Sequence, residues 1–487
     1  MQAGRLRSKF EKQQKETMEY KNYDFGLVGL GVMGRNFILN VADNNFSAFG
    51  YDLSEAQVKA MEVEAEGMDN VKATTDVKTF IQALSTPRKI MLLVPAGKIV
   101  DSAIENLLPL LDKGDIIIDG GNSFFTDTDR REAYLKEKGI HFFGSGVSGG
   151  AEGARKGPSI MPGGDKEAYE YVKPIFEAVS AKYKGEPCVA YLGPKSAGNY
   201  VKMVHNGIEY AMMQLTSEIY DLLKKSCDLS NEELHQVYDT WNKGRLQSFL
   251  VEITAEIFTQ KDELTSADLV DMILDKAKQK GTGKWTSQNA MDLGIPVPTI
   301  DMAVSMREIS ALKDERVQAD ELYTRPEVAH IKKEDLIAQA EQALYFSFII
   351  AYAQGLHQLM YASKDYGYDL DMSTIAKIWR AGCIIRAGLL ADIAEAYTAD
   401  NSIPNLLLSP SFVPKVQGTL PAVREVVAFA AKNGIPVPGL SSALSYFDAY
   451  TSTKLPLNLI QAQRDHFGSH TYERTDREGI FHTEWGK

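Results

Sequence analysis

Phe25-Gly26-Leu27-Val28-Gly29-Leu30-Gly31-Val32-Met33-Gly34-Arg35 is the stretch that decides the fold. The apolar run 25–28 reads as a short buried strand, and the residues that follow, 35–41, have helical character. Between them lies Gly-x-Gly-x-x-Gly with a strand before it and a helix after it, the setting in which the motif binds a dinucleotide. Gly29 suits the tight turn, Gly31 lets a pyrophosphate approach the backbone, and Gly34 brings helix and strand close. The unpaired N–H groups at the helix N-terminus then receive the anion. Gly29, Leu30, Gly31, Val32, Met33 and Gly34 are the candidate cofactor loop.

Outward from this loop, short β-rich runs alternate with helical ones as far as residue 197. The runs 25–28, 47–52, 90–94, 116–119 and 141–144 predict a doubly wound, mostly parallel sheet. Asp52 ends the second of them, 52 − 29 = 23 residues after Gly29. A carboxylate there accepts hydrogen bonds from ribose hydroxyls and repels a 2′-phosphate, which favours NAD over NADP. The alternative is a turn-forming aspartate in Tyr51-Asp52-Leu53-Ser54.

Past residue 200 the β runs give way to long amphipathic patterns such as 203–223 and 336–361, with Ser230 placed as a helix cap, so an all-helical second domain is expected. The apolar run 345–362 carries Gln354, His357 and Gln358 and reads as a buried helix, not a membrane span. Gly294-Ile295-Pro296-Val297-Pro298 recurs as Gly434-Ile435-Pro436-Val437-Pro438, an offset of 434 − 294 = 140. Trp241-Asn242-Lys243-Gly244-Arg245 loosely matches Trp379-Arg380-Ala381-Gly382-Cys383 at 379 − 241 = 138. A duplicated helical unit accounts for both, with chance recurrence of short Pro/Gly motifs as the alternative. From residue 451 the chain turns polar and aromatic with little helical periodicity, a tail whose Phe467, Tyr472, Phe481 and Trp485 call for a docking surface.

A length of 487 residues exceeds what one hydrophobic core supports, so two or three domains are expected. Three scattered cysteines suggest neither a disulfide framework nor a zinc site, which fits a reducing cytoplasm. A net charge of −12 disfavours nucleic acid and acidic membranes as partners. Residues 1–21 carry six Lys/Arg and three Glu without an apolar centre, so they read as a frayed extension and not a secretory signal.

The strongest chemical pattern is Asn199-Tyr200-Val201-Lys202-Met203-Val204-His205-Asn206-Gly207-Ile208-Glu209-Tyr210. On a helix Lys202, Asn206 and Glu209 fall within about 60° of one another, with His205 beside them. A merely solvated stripe has the same spacing. Gly207 points to a close approach by another group, since glycine inside a helix costs about 1 kcal/mol relative to alanine.

Together with Asp119-Gly120-Gly121-Asn122-Ser123, Val147-Ser148-Gly149-Gly150, the run 157–164, Gln279-Lys280-Gly281-Thr282-Gly283-Lys284-Trp285-Thr286 and Gln461-Ala462-Gln463-Arg464-Asp465, this segment resembles the 6-phosphogluconate dehydrogenases, within the wider β-hydroxyacid dehydrogenases. The resemblance runs from residue 23 to 472. It implies oxidative decarboxylation of 6-phospho-D-gluconate to ribulose 5-phosphate with reduction of NAD(P)+, in the pentose phosphate route and without a metal. Lys202 is implied as the base at the C3 hydroxyl and Glu209 as the acid at C1 of the enediol left after CO2 departs. Asn122, Ser148, Gly149, Gly150, His205 and Asn206 are implied to hold the sugar-acid hydroxyls and carboxylate. Tyr210, Lys280 and Arg307 are implied for the phosphate, joined by Arg464 and His470 from the tail of a second subunit of a homodimer. Asp52, Leu53 and Ser54, the loop Val94-Pro95-Ala96, and Asn122 complete the implied cofactor contacts. The organisation expected is an extension 1–21, a dinucleotide domain 22–197, a helical substrate and dimerisation domain 198–450, and a tail 451–487.

Family members that use NADP usually show Asn-Arg-Thr where this chain has Asp52-Leu53-Ser54, so a cation for the 2′-phosphate is missing. Pro95 and Ala151 also depart from frequent family residues. Two other readings compete: a β-hydroxyacid dehydrogenase without decarboxylation, and a non-catalytic nucleotide-sensing dimer.

Overall fold

In the computed structural model, which describes residues 22–329 and 331–486, the apolar runs of the first half become a seven-stranded sheet. The frayed extension expected at 1–21 lies outside the described residues. β1 (Phe25–Val28), β2 (Ala48–Tyr51), β4 (Lys89–Leu92), β5 (Ile116–Asp119) and β6 (His141–Ser148) match the runs read from the sequence to within a few residues. β3 (Val71–Thr74) and β7 (Ser159–Gly164) are additional. β3 eludes a pattern reading because only Val71 of its four residues is buried. β7 eludes it because its sequence ends Pro-Gly-Gly, which reads as a turn.

The order is β3-β2-β1-β4-β5-β6-β7, parallel throughout except for β7 on β6. Chain order reverses between β1 and β4, so the crevice at the carboxyl ends of those strands is the natural ligand site of such a sheet. Helices cover both faces over two separate apolar clusters, one around Phe25, Leu27, Phe37 and Ile118, the other around Phe49, Phe80, Ile90 and Ile117.

The second half is helical, built on two long helices, Ala197–Cys227 and Lys333–Tyr366, that share one core with the helices around them. By length and composition Lys333–Tyr366 could cross a membrane, but 72% of its most apolar window is buried inside the protein, so it is a core helix. The repeat seen in the sequence reappears in the backbone. Helices Pro298–Ala311 and Pro438–Tyr450 both follow a Gly-Ile-Pro-Val-Pro turn, with Val297 at φ −128°, ψ 49° and Val437 at φ −131°, ψ 54°. Each helix start is held by the long helix of the other half. Gln354 accepts from the Thr299 amide (3.0 Å), and Glu218 accepts from the Gly439 and Leu440 amides (2.7 and 2.9 Å). Just after the two Trp-containing segments the chain also meets itself, through an antiparallel bridge between Ser248 and Ala387.

The tail corrects an expectation. Residues Leu457–Gly468 form a helix, followed by a hairpin of Tyr472–Glu473 with Ile480–Phe481. Its Leu457, Leu459 and Ile460 are half-exposed or more, so among the described residues these apolar positions do not form the buried stripe by which a helix is recognised. Some of the tail aromatics find partners within it. Trp485 Nε1 donates to the buried Asp465 (2.8 Å), which also accepts from the Thr471 and Thr483 amides (2.9 and 3.0 Å), while Tyr472 stacks on Phe481.

Candidate active site

The glycine loop is shaped for a phosphate. Gly29 has φ +97°, a side chain at Gly34 would collide with the Gly29 carbonyl, and the space in front of Gly31 is open to 4 Å. A pyrophosphate therefore has backbone access at Gly31 and the start of helix Val32–Asp43 beneath it. Asp52 lies at the end of β2 as expected, and its carboxylate is already engaged. Oδ2 accepts from the Leu30 amide (2.7 Å) and Oδ1 from the Ser54 amide (2.9 Å). The residue thus ties the glycine loop to the turn after β2. Leu53 is 83% exposed. Arg35, next after the motif, is occupied by the Leu30 carbonyl (2.8 Å), by Glu64 (2.9 Å) and by Gln57. Pro95 and Ala96 are exposed in the loop after β4, with Val94 half-buried behind them, and Asn122 is exposed in the loop after β5.

Helix Ala197–Cys227 runs against β6 and β7 and brings the polar stripe to the same end of the sheet. Lys202, His205 and Asn206 are all buried, so the stripe is not a solvated face. Lys202 Nζ donates to Asn206 Oδ1 (2.7 Å) and lies 3.4 Å from His205 Nδ1. His205 Nδ1 is 3.0 Å from Asn206 Oδ1, and its Nε2 is 3.2 Å from Ser148 Oγ. Both contacts are satisfied when Nδ1 carries the proton and Nε2 accepts from the serine. Asn206 Nδ2 donates to Thr282 Oγ1 (3.1 Å). Glu209 Oε2 lies 3.9 Å from His205 Nδ1, with the glutamate side chain 20% exposed.

Burial shapes the electrostatics. It pulls the Lys202 ammonium below the usual lysine range, opposed by the nearby Glu209 and Cys383. It pushes the Glu209 carboxyl up, opposed by Lys202 and Arg307. His205 is held well below 6.5, by burial first and the Lys202 charge second, and so stays neutral. Burial also raises the Cys383 thiol to about 12. A base lowered and an acid raised within one helix face is the arrangement in which proton transfer near neutral pH costs least.

Gly207 has its explanation in packing: a Cβ there would meet the Thr286 side chain, whose hydroxyl donates to the Met203 carbonyl (2.8 Å). That contact docks helix Thr282–Asp292 on the stripe. Further along, the Arg307 guanidinium lies 3.7 Å from the Tyr210 ring centre, and Arg307 is buried. Lys280, Arg464 and His470 are exposed, and none is hydrogen-bonded to the Lys202 cluster; Arg464 donates to Gln461 of its own helix (3.1 Å). Two neighbours are absent from the residues singled out in the sequence. Thr282 had a signal, its position between Gly281 and Gly283 in the quoted motif. Trp379, whose ring is 5.6 Å from that of His205, had none beyond its place in the repeat.

A glycine loop at the sheet's switch point, with a buried lysine, a glutamate and a histidine on a helix packed against the same sheet, defines a dinucleotide-dependent dehydrogenase. Comparison with known proteins resolves the class further. Residues 24–193 match the NAD binding domain of 6-phosphogluconate dehydrogenase, and residues 198–485 match the 6-phosphogluconate dehydrogenase C-terminal domain. A Bacillus subtilis protein named 6-phosphogluconate dehydrogenase, NADP(+)-dependent, decarboxylating is 56% identical over 95% of this chain and 99% of its own length. The Escherichia coli K12 6-phosphogluconate dehydrogenase, decarboxylating, is 52% identical over 94% of this chain and 98% of its own. The solved structure of Plasmodium falciparum 6-phosphogluconate dehydrogenase, studied apo, with its cofactor NADP+ and with its substrate 6-phosphogluconate, superposes with a TM-score of 0.92. It shares 46% identity, over 95% of this chain and all of that one. The chain belongs to the 6-phosphogluconate dehydrogenase family.

Proposed function

We propose that this enzyme oxidatively decarboxylates 6-phospho-D-gluconate to D-ribulose 5-phosphate and CO2, with Lys202 as base and Glu209 as acid. The observation that carries the assignment of roles is the pair itself: Lys202 and Glu209 on one helix, each pushed by burial towards its neutral form. A nicotinamide dinucleotide on the glycine loop supplies the hydride acceptor. Neutral Lys202 takes the C3 hydroxyl proton as hydride leaves C3. Protonated, it donates to the oxygen of the resulting 3-keto acid and stabilises the enolate left when CO2 departs. Asn206 Oδ1, 2.7 Å from Nζ, keeps the ammonium aimed. Glu209 then delivers a proton to the former C2, which becomes C1 of the ribulose 5-phosphate and completes the balance: hydride, hydroxyl proton and CO2 leave, and one proton returns.

Ser148, Gly149, Gly150, Asn122, His205 and Asn206 are proposed to hold the carboxylate and hydroxyls. Tyr210, Lys280 and Arg307 are proposed for the phosphate, where the guanidinium stacked on Tyr210 is fixed before the ligand arrives. Arg464 and His470 are proposed to reach this site from a second subunit. In support, the tail helix exposes Leu457, Leu459, Ile460 and Phe467, apolar area suited to a partner chain. NAD is proposed as the preferred cofactor, on the Asp52 carboxylate at the end of β2, the uncharged Leu53, and an Arg35 already engaged by Glu64.

Initial rates with 6-phosphogluconate and each of NAD+ and NADP+, with CO2 release followed in parallel, test the reading. Cofactor reduction without CO2 would make the chain a simple β-hydroxyacid dehydrogenase, and no reduction with either cofactor would remove the assignment.

A further inference from the structure

The helix Phe125–Lys138 is strongly polar and lies outside the residues assigned to substrate or cofactor, yet one of its arginines is buried. The Arg131 side chain is 1% exposed. Its Nε donates to Asp101 Oδ1 (2.8 Å), one terminal nitrogen reaches both Asp119 Oδ2 and Ser123 Oγ (3.3 Å each), and the other donates to the Gly97 carbonyl (3.0 Å). Gly97 closes the Val94-Pro95-Ala96 loop after β4, and Asp101 stands in the first turn of the helix Lys98–Leu107 that follows. Asp119 ends β5, accepts from the Gly121 amide (3.1 Å) and is fully buried, while Ser123 is next to Asn122. A single planar guanidinium therefore bridges two loops at the ends of neighbouring strands, one implied for the cofactor and one whose Asn122 is implied for substrate and cofactor alike.

We infer that Arg131 is a positioning residue for hydride transfer, fixing the spacing between the cofactor-side loop 94–97 and the substrate-side loop 119–123. The inference rests on the function proposed above. Only arginine fits: four acceptors lie around the fork from two loops and a helix, and the fixed geometry of the guanidinium meets all of them at once. Lysine carries the charge that Asp119 requires but presents one point, so it cannot hold both loops in register. An error of about 1 Å in such a spacing costs on the order of 10²-fold in rate.

The test uses the full-length enzyme with Arg131→Lys and Ser123→Ala. For Arg131→Lys the expected result is kcat lowered about 10- to 100-fold, with a larger deuterium isotope effect from 3-deuterated 6-phosphogluconate and raised KM for both cofactor and substrate. Ser123→Ala loosens only the loop 119–123, so it should raise KM for 6-phosphogluconate several-fold and, because Asn122 is also an implied cofactor contact, raise cofactor KM less than Arg131→Lys does. A purely structural arginine would lower melting temperature and leave the isotope effect and both KM values unchanged, which overturns the inference. If the lysine variant does not fold, Ser123→Ala decides, and unchanged substrate KM there also overturns it. A wild-type enzyme inactive on 6-phosphogluconate would instead refute the parent reading.

Discussion

Replacing Glu218 by glutamine should remove a pH dependence from the stability of the helical domain. Glu218 lies on the same helix as Lys202 and Glu209, is 3% exposed, and accepts from two amides at the start of helix Pro438–Tyr450 and from Gln214 (2.9 Å). Burial nevertheless dominates these donors and raises the carboxyl from 4.5 to about 7. That displacement is worth about 3 kcal/mol. Because the folded pKa is the higher one, the folded protein keeps a proton that the unfolded chain releases. The stabilisation is complete below about 4.5 and is lost as pH rises through about 7. Gln354 performs the equivalent task in the other half with a side chain that does not titrate. Melting temperatures of wild type and Glu218→Gln at about pH 5 and about pH 8 measure the effect. At about 2 °C per kcal/mol for a domain of this size, the gap between variant and wild type should move in the variant's favour by about 6 °C from the lower to the higher pH. An identical gap at the two pH values would show that Glu218 keeps the same charge throughout, and the argument from burial would fail.

Lys202→Met should lower kcat by about 10³-fold or more, since base and enolate stabiliser are lost together, while dinucleotide affinity measured by fluorescence stays near wild type. Retained turnover would remove the lysine from its role. Glu209→Ala should slow solvent-proton incorporation at C1 of the product, and an unchanged incorporation rate would exclude it as the acid. Asp52→Asn with Leu53→Arg should shift the NADP-to-NAD ratio of kcat/KM by roughly 30- to 1000-fold, or about 2–4 kcal/mol, with the ratio in wild type below one. If the tail serves a second subunit, mixing the inactive Lys202→Met and Arg464→Ala chains should restore about a quarter of wild-type activity, because each hybrid dimer holds one intact site. No recovery after verified subunit exchange speaks against tail exchange.

What the sequence determined by itself follows from local rules. A strand such as Ile116–Asp119 is legible because all four residues are buried and the run is continuously apolar. The glycine loop is legible because its spacing sits between an apolar strand and a helix, and Gly34 answers a demand five residues away, where a side chain would collide with the Gly29 carbonyl. The stripe Lys202, Asn206, Glu209 follows from helical period alone, and the paired Gly-Ile-Pro-Val-Pro turns from self-similarity. Tertiary structure decided what depends on partners far along the chain. Whether the stripe was solvated or buried rested on β6 and on helix Thr282–Asp292 closing over it, and with that burial came the displaced protonation of Lys202 and Glu209. In the sequence Asp52 reads as ribose ligand or turn, and only the folded chain shows that its oxygens hold the Leu30 and Ser54 amides and so join the glycine loop to the turn after β2. Arg131 is one of two adjacent arginines in a polar helix, and only the convergence of Gly97, Asp101, Asp119 and Ser123 singles it out. Period and steric demand act over a few residues, whereas desolvation and charge pairing depend on which distant segments arrive, and those are set by the folded whole.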